Sequence, residues 1–195
     1  MEETISLRIV QTAHQLFTSR GYRNVTIQDI ASELGMSKKT IYLYFASKEE
    51  IAEAVIKKTL QQISGHIDSN AATSGDPIMI LRQTLEQIKD EVVHLGPLFL
   101  SDVQKSVPEL WNQIVHFRME KAKFVGQLIA AGKEKGLVKE SVHPQWATVL
   151  FLESLQACIR PDVSARHGIA MNELMDTFFR VFIDGILEPI YASEQ

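Results

Sequence analysis

Residues 26–45 read TIQDIASELGMSKKTIYLYF, and their order of residue types describes two short helices joined by a tight turn. Thr26 is placed to cap the first helix, and Asp29, three residues on, to reach back toward that cap. Ile27, Ile30, Ala31 and Leu34 recur at helical spacing and form one apolar face. Gly35 follows where a helix ends at least cost, since a left-handed residue there needs no Cβ. Met36 supplies an apolar plug for the turn, and Ser37 caps the next helix. There Ile41 and Phe45, four apart, face inward and leave Lys38, Lys39, Thr40, Tyr42 and Tyr44 facing out. Ser47 then caps a third segment, with Glu50 completing a second capping box. This is a helix-turn-helix arrangement, and its second helix suits a DNA major groove.

The chemistry of the outward face agrees. Lysine ammonium groups neutralise phosphates and release counterions. The hydroxyls of Thr40, Tyr42 and Tyr44 donate to phosphate oxygens, and the threonine methyl can touch a thymine methyl. Lys48 lies in the first turn of the third segment, where free backbone amides favour an anion and a cation is out of place. A phosphate bridging Lys48 and the helix end accounts for it. A solvated helix face also carries Lys, Thr and Tyr, and a bare helix-turn-helix pattern is common. Two tyrosines and a threonine without an acid are less usual for simple solvation, and the face by itself leaves both readings open.

The pattern extends in both directions. Ile9, Ala13, Leu16, Phe17, Gly21 and Tyr22 precede it, and Thr26, Ile30, Ala31, Gly35, Met36, Ser37, Thr40, Tyr42, Tyr44, Phe45, Lys48 and Glu49 continue it without a gap. In this register the first third of the chain resembles the TetR family of bacterial one-component repressors. The resemblance implies phosphate contacts by Thr26, Tyr42 and Lys48. It implies approach to bases or backbone by Gln28, Lys38, Lys39, Thr40 and Tyr44, with Ser37 beside them. Gln28 has the donor and acceptor to read an adenine edge. Beyond residue 60 the resemblance implies fold and mechanism but no particular ligand.

The 195 residues allow one or two domains and a sizeable core. No apolar run approaches the roughly 18 residues of a membrane span, and no signal peptide is read, so a cytoplasmic protein without membrane association is expected. Cys158 is the only cysteine, which excludes an intrachain disulfide and reads as a buried structural thiol. The net charge of −4 looks wrong for a DNA binder until the chain is split. Residues 1–60 carry 8 Lys and Arg against 7 Asp and Glu, while 61–195 carry 12 against 17. DNA binding therefore rests on a few well-placed cations, with weak non-specific affinity at moderate salt.

No metal-ligand spacing links the six histidines, at 14, 66, 94, 116, 143 and 167, to Cys158 or to carboxylates. No phosphate loop or nucleophile elbow is present, so neither an enzyme nor a cofactor is expected. An all-α fold of about nine helices is. The reading divides the chain into a three-helix DNA-binding domain over 1–47 and a ligand-binding and dimerisation domain over 48–195. Its helices run over about 48–68, 77–94, to 106, 108–135, from 143 or 144 to before Pro161, and 170–188. A polar loop covers 69–76, and RPDVSARHG forms another loop before the last helix.

The helix from residue 143 is apolar nearly all round, and the last carries a stripe too wide for one packing face. Either they form a central core, or they meet their copy as a four-helix bundle through Trp146, Leu150, Ala157, Leu174, Phe178, Phe179, Phe182 and Ile186. The resemblance favours the homodimer. It also implies a ligand pocket, with His94, Phe99, Leu100, Asp102, Val103, Trp111, Ile114, Val115, Phe124, Gln127, Leu128, Phe151 and Glu153 as candidate lining. Each of the apolar ones is also ordinary core material. Glu153 and Gln156, three apart on an apolar helix, reach solvent or need a partner in the pocket or the dimer interface. The expected partners are a double-stranded DNA operator and an unidentified apolar or amphipathic effector, whose acidic or basic group could pair with Glu153, Asp102 or His94. Binding of that effector would release a palindromic operator. The competing reading is a helical protein-interaction module without DNA binding, whose association would depend little on salt.

Overall fold

The computed structural model describes residues 4–189. Ten helices follow one another: α1 (Ile5–Arg20), α2 (Ile27–Glu33), α3 (Lys38–Tyr42), α4 (Lys48–Ala71), α5 (Pro77–Leu95), α6 (Pro97–Ser106), α7 (Pro108–Glu134), α8 (Pro144–Cys158), α9 (Pro161–His167) and α10 (Met171–Ile186). Among the described residues no strand forms, and one isolated antiparallel bridge joins Val138 to Leu187. The all-α architecture is the expected one, with two departures. The segment read as the loop RPDVSARHG is α9. Pro161 stands in its first turn and Gly168, at φ +64°, ends it with its N–H on Ser164 O, so both punctuation residues belong to one helix. And α4 runs to Ala71, past the expected end at 68. Asn70 is buried there and donates to Thr84 Oγ1 at 2.9 Å and Gln87 Oε1 at 2.8 Å, which holds the last turn helical.

The chain forms two compact units. The first takes residues 4–61 and 92–114, the second 62–91 and 115–189. This division differs from a cut at residue 47, because α4, α5 and α7 each run through both units and α6 packs on α1.

In the first unit, Ile9, Ala13 and Phe17 of α1 meet Ile30 and Ala31 of α2, Ile41 of α3 and Ile51, Ala52 and Ile56 of α4 in one apolar core. Phe99 of α6 enters the same core, 5.0 Å from the Phe17 ring, with Tyr22 5.4 Å from Phe17 and 6.5 Å from Phe99. Polar contacts fix how the end of α5 and the start of α6 lie on α1. Thr18 Oγ1 donates to Leu95 O at 3.1 Å, and His14 Nε2 lies 2.9 Å from His94 O. At the far end Asp102 accepts the Arg23 backbone N–H at 2.9 Å. Gly21 makes this approach possible. Its φ of +79° with ψ 151° is nearly glycine-only, and a Cβ there would stand 2.8 Å from Asp102 Oδ2.

The second unit buries Ile63, Ile67, Ile78, Leu81, Leu85, Val125, Ile129, Phe151, Met175 and Phe179. Phe151 of α8 stacks among Phe178, Phe179 and Phe182 of α10 at centroid distances of 5.2–5.9 Å.

Gly35 also has positive φ, +64°, but a Cβ there meets nothing within 4 Å. Gly21→Ala is therefore expected to destabilise the first unit by about 3 kcal/mol or more, and Gly35→Ala by about 1–2 kcal/mol. Urea unfolding read by Trp111 fluorescence in a Trp146→Phe background measures both.

Candidate nucleic-acid interface

The two short helices are set by their caps. Thr26 and Asp29 form the expected capping box: Thr26 Oγ1 accepts the Asp29 N–H at 3.2 Å, and Asp29 Oδ2 accepts the Thr26 N–H at 2.7 Å. The Thr26 hydroxyl also donates to Asp29 Oδ2, at 2.6 Å. Those bonds hold the Asp29 carboxyl below its ordinary range. The hydroxyl proton that a phosphate would need is thus already committed to an acid. At Ser47 the second box departs by one residue, since Glu50 accepts the Ala46 N–H at 2.5 Å while its own N–H donates to Ser47 Oγ.

Ser37 caps α3 by accepting the Thr40 N–H at 3.1 Å. The Ser37 and Thr40 hydroxyls lie 2.9 Å apart. Whichever donates, the other keeps its proton for an outside acceptor. Ile41 and Phe45 are buried as the spacing requires, while Lys38, Lys39, Tyr42 and Tyr44 are exposed. Gln28 is exposed on α2 with one amide proton on Ser32 Oγ at 3.0 Å. Leu43, between the two tyrosines, is 75% exposed and is missing from the outward residues read from the sequence. The signal was there, since it falls on the arc opposite Ile41 and Phe45.

Lys48 is the clearest departure. Its ammonium donates to Tyr22 O at 2.9 Å and Val25 O at 2.8 Å and stands 4.2 Å over the Tyr22 ring. Burial pushes its pKa down, opposed by the charges of Asp102 and Asp29. The awkward cation in the first turn of α4 is explained by these carbonyls without a phosphate. At most one of its three protons remains for DNA.

Residues 9–55 match the family model of bacterial regulatory proteins, tetR family. The chain belongs to the tetR family. The HTH-type transcriptional regulator YvaF of Bacillus subtilis (strain 168) is 23% identical over 182 residues, spanning 92% of this chain and 94% of that protein. The HTH-type transcriptional repressor KstR2 of Rhodococcus jostii (strain RHA1) is 26% identical over 202 residues, spanning 93% and 90%. The TetR-family regulator PfmR of Thermus thermophilus superposes with a TM-score of 0.69 at 25% identity, covering 90% of this chain and 97% of its own. These relatives are transcriptional regulators, not enzymes, and so is this tetR-family chain, a DNA-binding regulator of transcription.

The residues expected to line a pocket are divided between the two units. His94, Phe99, Leu100, Asp102, Val103, Trp111 and Ile114 lie in the first unit, where Phe99, Leu100, Val103 and Ile114 are core and Trp111 packs against it. Asp102 is spent on the Arg23 N–H, and the His94 carbonyl on His14 and Thr18. Val115, Phe124, Gln127, Leu128, Phe151 and Glu153 lie in the second. There Leu128 and Phe151 are buried, Val115 and Phe124 half-buried, and Gln127 and Glu153 exposed. Gln127 lines an open groove of about 500 Å³ between α7 and α8, with Met119, Gly126, Thr148 and Leu152. Gln156 finds a partner that neither sequence alternative named, the guanidinium of Arg118 on α7.

Of the residues expected at a dimer interface, Trp146, Leu150 and Ala157 are exposed and Leu174, Phe178 and Phe182 half-buried. Phe179 and Ile186 are buried within the protomer, because α10 turns that side onto the core of its own unit. Val149 and Val181 join the exposed set. Cys158 is buried, and burial pushes its thiol up. Among the described residues no helix is long and apolar enough to cross a membrane, and no cluster of side chains could hold a metal ion.

The bonding of the head makes three predictions. Replacing Lys48 by Met should lower the stability of the first unit by about 2 kcal/mol or more, since two carbonyls lose a charged donor, and should change the salt slope of DNA binding little. Lys38→Gln should leave stability unchanged and reduce that slope by about 0.9. Stabilisation by Asp29 is complete above the unfolded aspartate value of about 3.9 and is lost as pH falls through its lowered folded value. Asp29→Asn should therefore flatten the acid limb of a pH-dependent melting series.

Proposed function

We propose that this tetR-family regulator is a repressor that binds a palindromic operator as a homodimer and is released by a small-molecule effector. The observation that carries the reading is a single short reading helix on a chain that also leaves a broad apolar strip uncovered. On α8, Trp146 is 70% and Leu150 64% exposed, and on α10 Val181 is 67% exposed. Large side chains like these, set close together, mark an interface. A second copy supplies a like surface by two-fold symmetry and doubles the base contacts of a five-residue helix. Two copies of α3 would then sit in successive major grooves, about 34–36 Å apart or at a related spacing.

The phosphate-facing groups in this reading are Lys38, Lys39, Ser37, Thr40, Tyr42 and Tyr44, with Gln28 at the edge. Thr26 and Lys48 contribute through their intramolecular bonds more than through DNA. The second unit is the effector-binding and dimerisation part. Its wealth of Phe, Leu, Ile and Met suits an apolar or amphipathic molecule. Helix α4 runs unbroken from Lys48 to Ala71 and is one of three helices, with α5 and α7, that connect effector and head. Effector and DNA then oppose each other reciprocally, typically by about 1–3 kcal/mol. The site of action is the cytoplasm.

The test combines sedimentation with footprinting. The unaltered chain should sediment as a dimer and protect two half-sites one helical turn apart. Leu150→Glu should sediment as a monomer, lose at least tenfold in operator affinity and keep the melting of its first unit. A variant that remains dimeric, or a monomer that binds the operator undiminished, contradicts the reading.

A further inference from the structure

We propose that Arg118 anchors an anionic group of the effector, so that the molecule sensed is an amphipathic acid; this rests on the ligand-binding reading of the second unit. Arg118 lies on α7 and is half-buried. Its guanidinium keeps its charge at any physiological pH. Burial pushes its pKa down, and the charge of Glu153 pushes it back up.

What singles it out is the way its unit treats cations. Every other half-buried cation there has an acid or a main-chain carbonyl. Arg82 pairs with Asp184 at 3.3 Å, Lys89 with Glu86 and with Asp176, and Lys121 with Asp68 at 3.7 Å. Lys133 reaches Glu140 and two carbonyls, and Lys139 the Gly185 carbonyl at 2.7 Å. Arg118 forms none of the ion pairs among the described residues. Its one hydrogen bond runs from Nη1 to Gln156 Oε1, a neutral acceptor. Its Nε, like that of Arg82, is enclosed and has no acceptor among the described residues.

The geometry of that single bond is informative. Gln156 takes Nη1 and leaves the edge formed by Nε and Nη2, the edge that meets a carboxylate with two parallel N–H···O bonds. A buried donor without an acceptor and a buried charge without a counter-ion are both costly. One anionic group at this edge would relieve both. Glu153 is exposed, so its charge is screened by solvent and opposes a second anion only weakly. A neutral or cationic ligand would leave the guanidinium as it stands.

The experiment uses the full-length protein and two fluorescent probes built on one ring system. 1-Anilinonaphthalene-8-sulfonate carries an anion, and N-phenyl-1-naphthylamine does not. The sulfonate should bind the unaltered protein saturably, and Arg118→Gln should weaken it at least tenfold while changing the neutral probe less than twofold. Arg118→Lys should recover part of the loss. Glu153→Gln, at an exposed position that does not threaten folding, should tighten the sulfonate at least twofold and leave the neutral probe alone. Circular dichroism confirms that each variant is folded. Sulfonate affinity unchanged in Arg118→Gln and Glu153→Gln, or both probes weakened alike, overturns the proposal. Failure of both probes to bind the unaltered protein overturns the ligand-binding reading itself, and this inference with it.

Discussion

A helix of five residues has no stability of its own. Nucleation alone makes isolated helices below roughly 12–15 residues marginal in water, and α2 and α3 have seven and five. Both exist because Ile30, Ala31 and Ile41 are wholly buried in a core supplied by α1, α4 and α6. The reading face is thus held by the side of the head that never meets DNA. Lys48 adds a second restraint by tying the start of α4 to the carbonyls of Tyr22 and Val25. Whatever displaces the first turn of α4 must break those bonds or carry the α1–α2 turn along.

The same logic makes α6 part of the head. Its Phe99 completes the ring cluster with Phe17 and Tyr22, and its Asp102 holds the turn after α1 through the Arg23 N–H. Gly21 is the enabling residue, since both its backbone angle and the nearness of Asp102 exclude a side chain. A residue that serves as a spacer for a contact some eighty positions away looks, in the sequence, like an ordinary helix stop.

That contrast explains what the sequence made legible. The helix-turn-helix could be read because its determinants are local: a capping box at Thr26, a positive-φ turn at Gly35, a cap at Ser37 and inward residues four apart. The boundaries of α5, α6, α7 and α8 could be read from prolines and glycines. α9 could not, because Pro161 and Gly168 punctuate a loop and the two ends of one short helix equally well. The partners of polar residues set in apolar stretches were also out of reach. The sequence shows that Gln156 needs a partner or solvent but not that it meets Arg118, 38 positions away, nor that Asp102 meets the Arg23 N–H, 79 positions away. Periodicity also separates inside from outside without separating core from cavity, so it could not choose among candidate pocket residues.

Everything functional in this chain depends on whether the exposed face of α3 reads sequence. Selection of genomic DNA fragments by the purified protein, followed by anisotropy titration of the best fragment at two salt concentrations, tests that directly. An enriched palindrome, bound with two chains per site and weakening steeply with salt, is the predicted result. Absence of enrichment, together with an affinity that ignores salt, would contradict it.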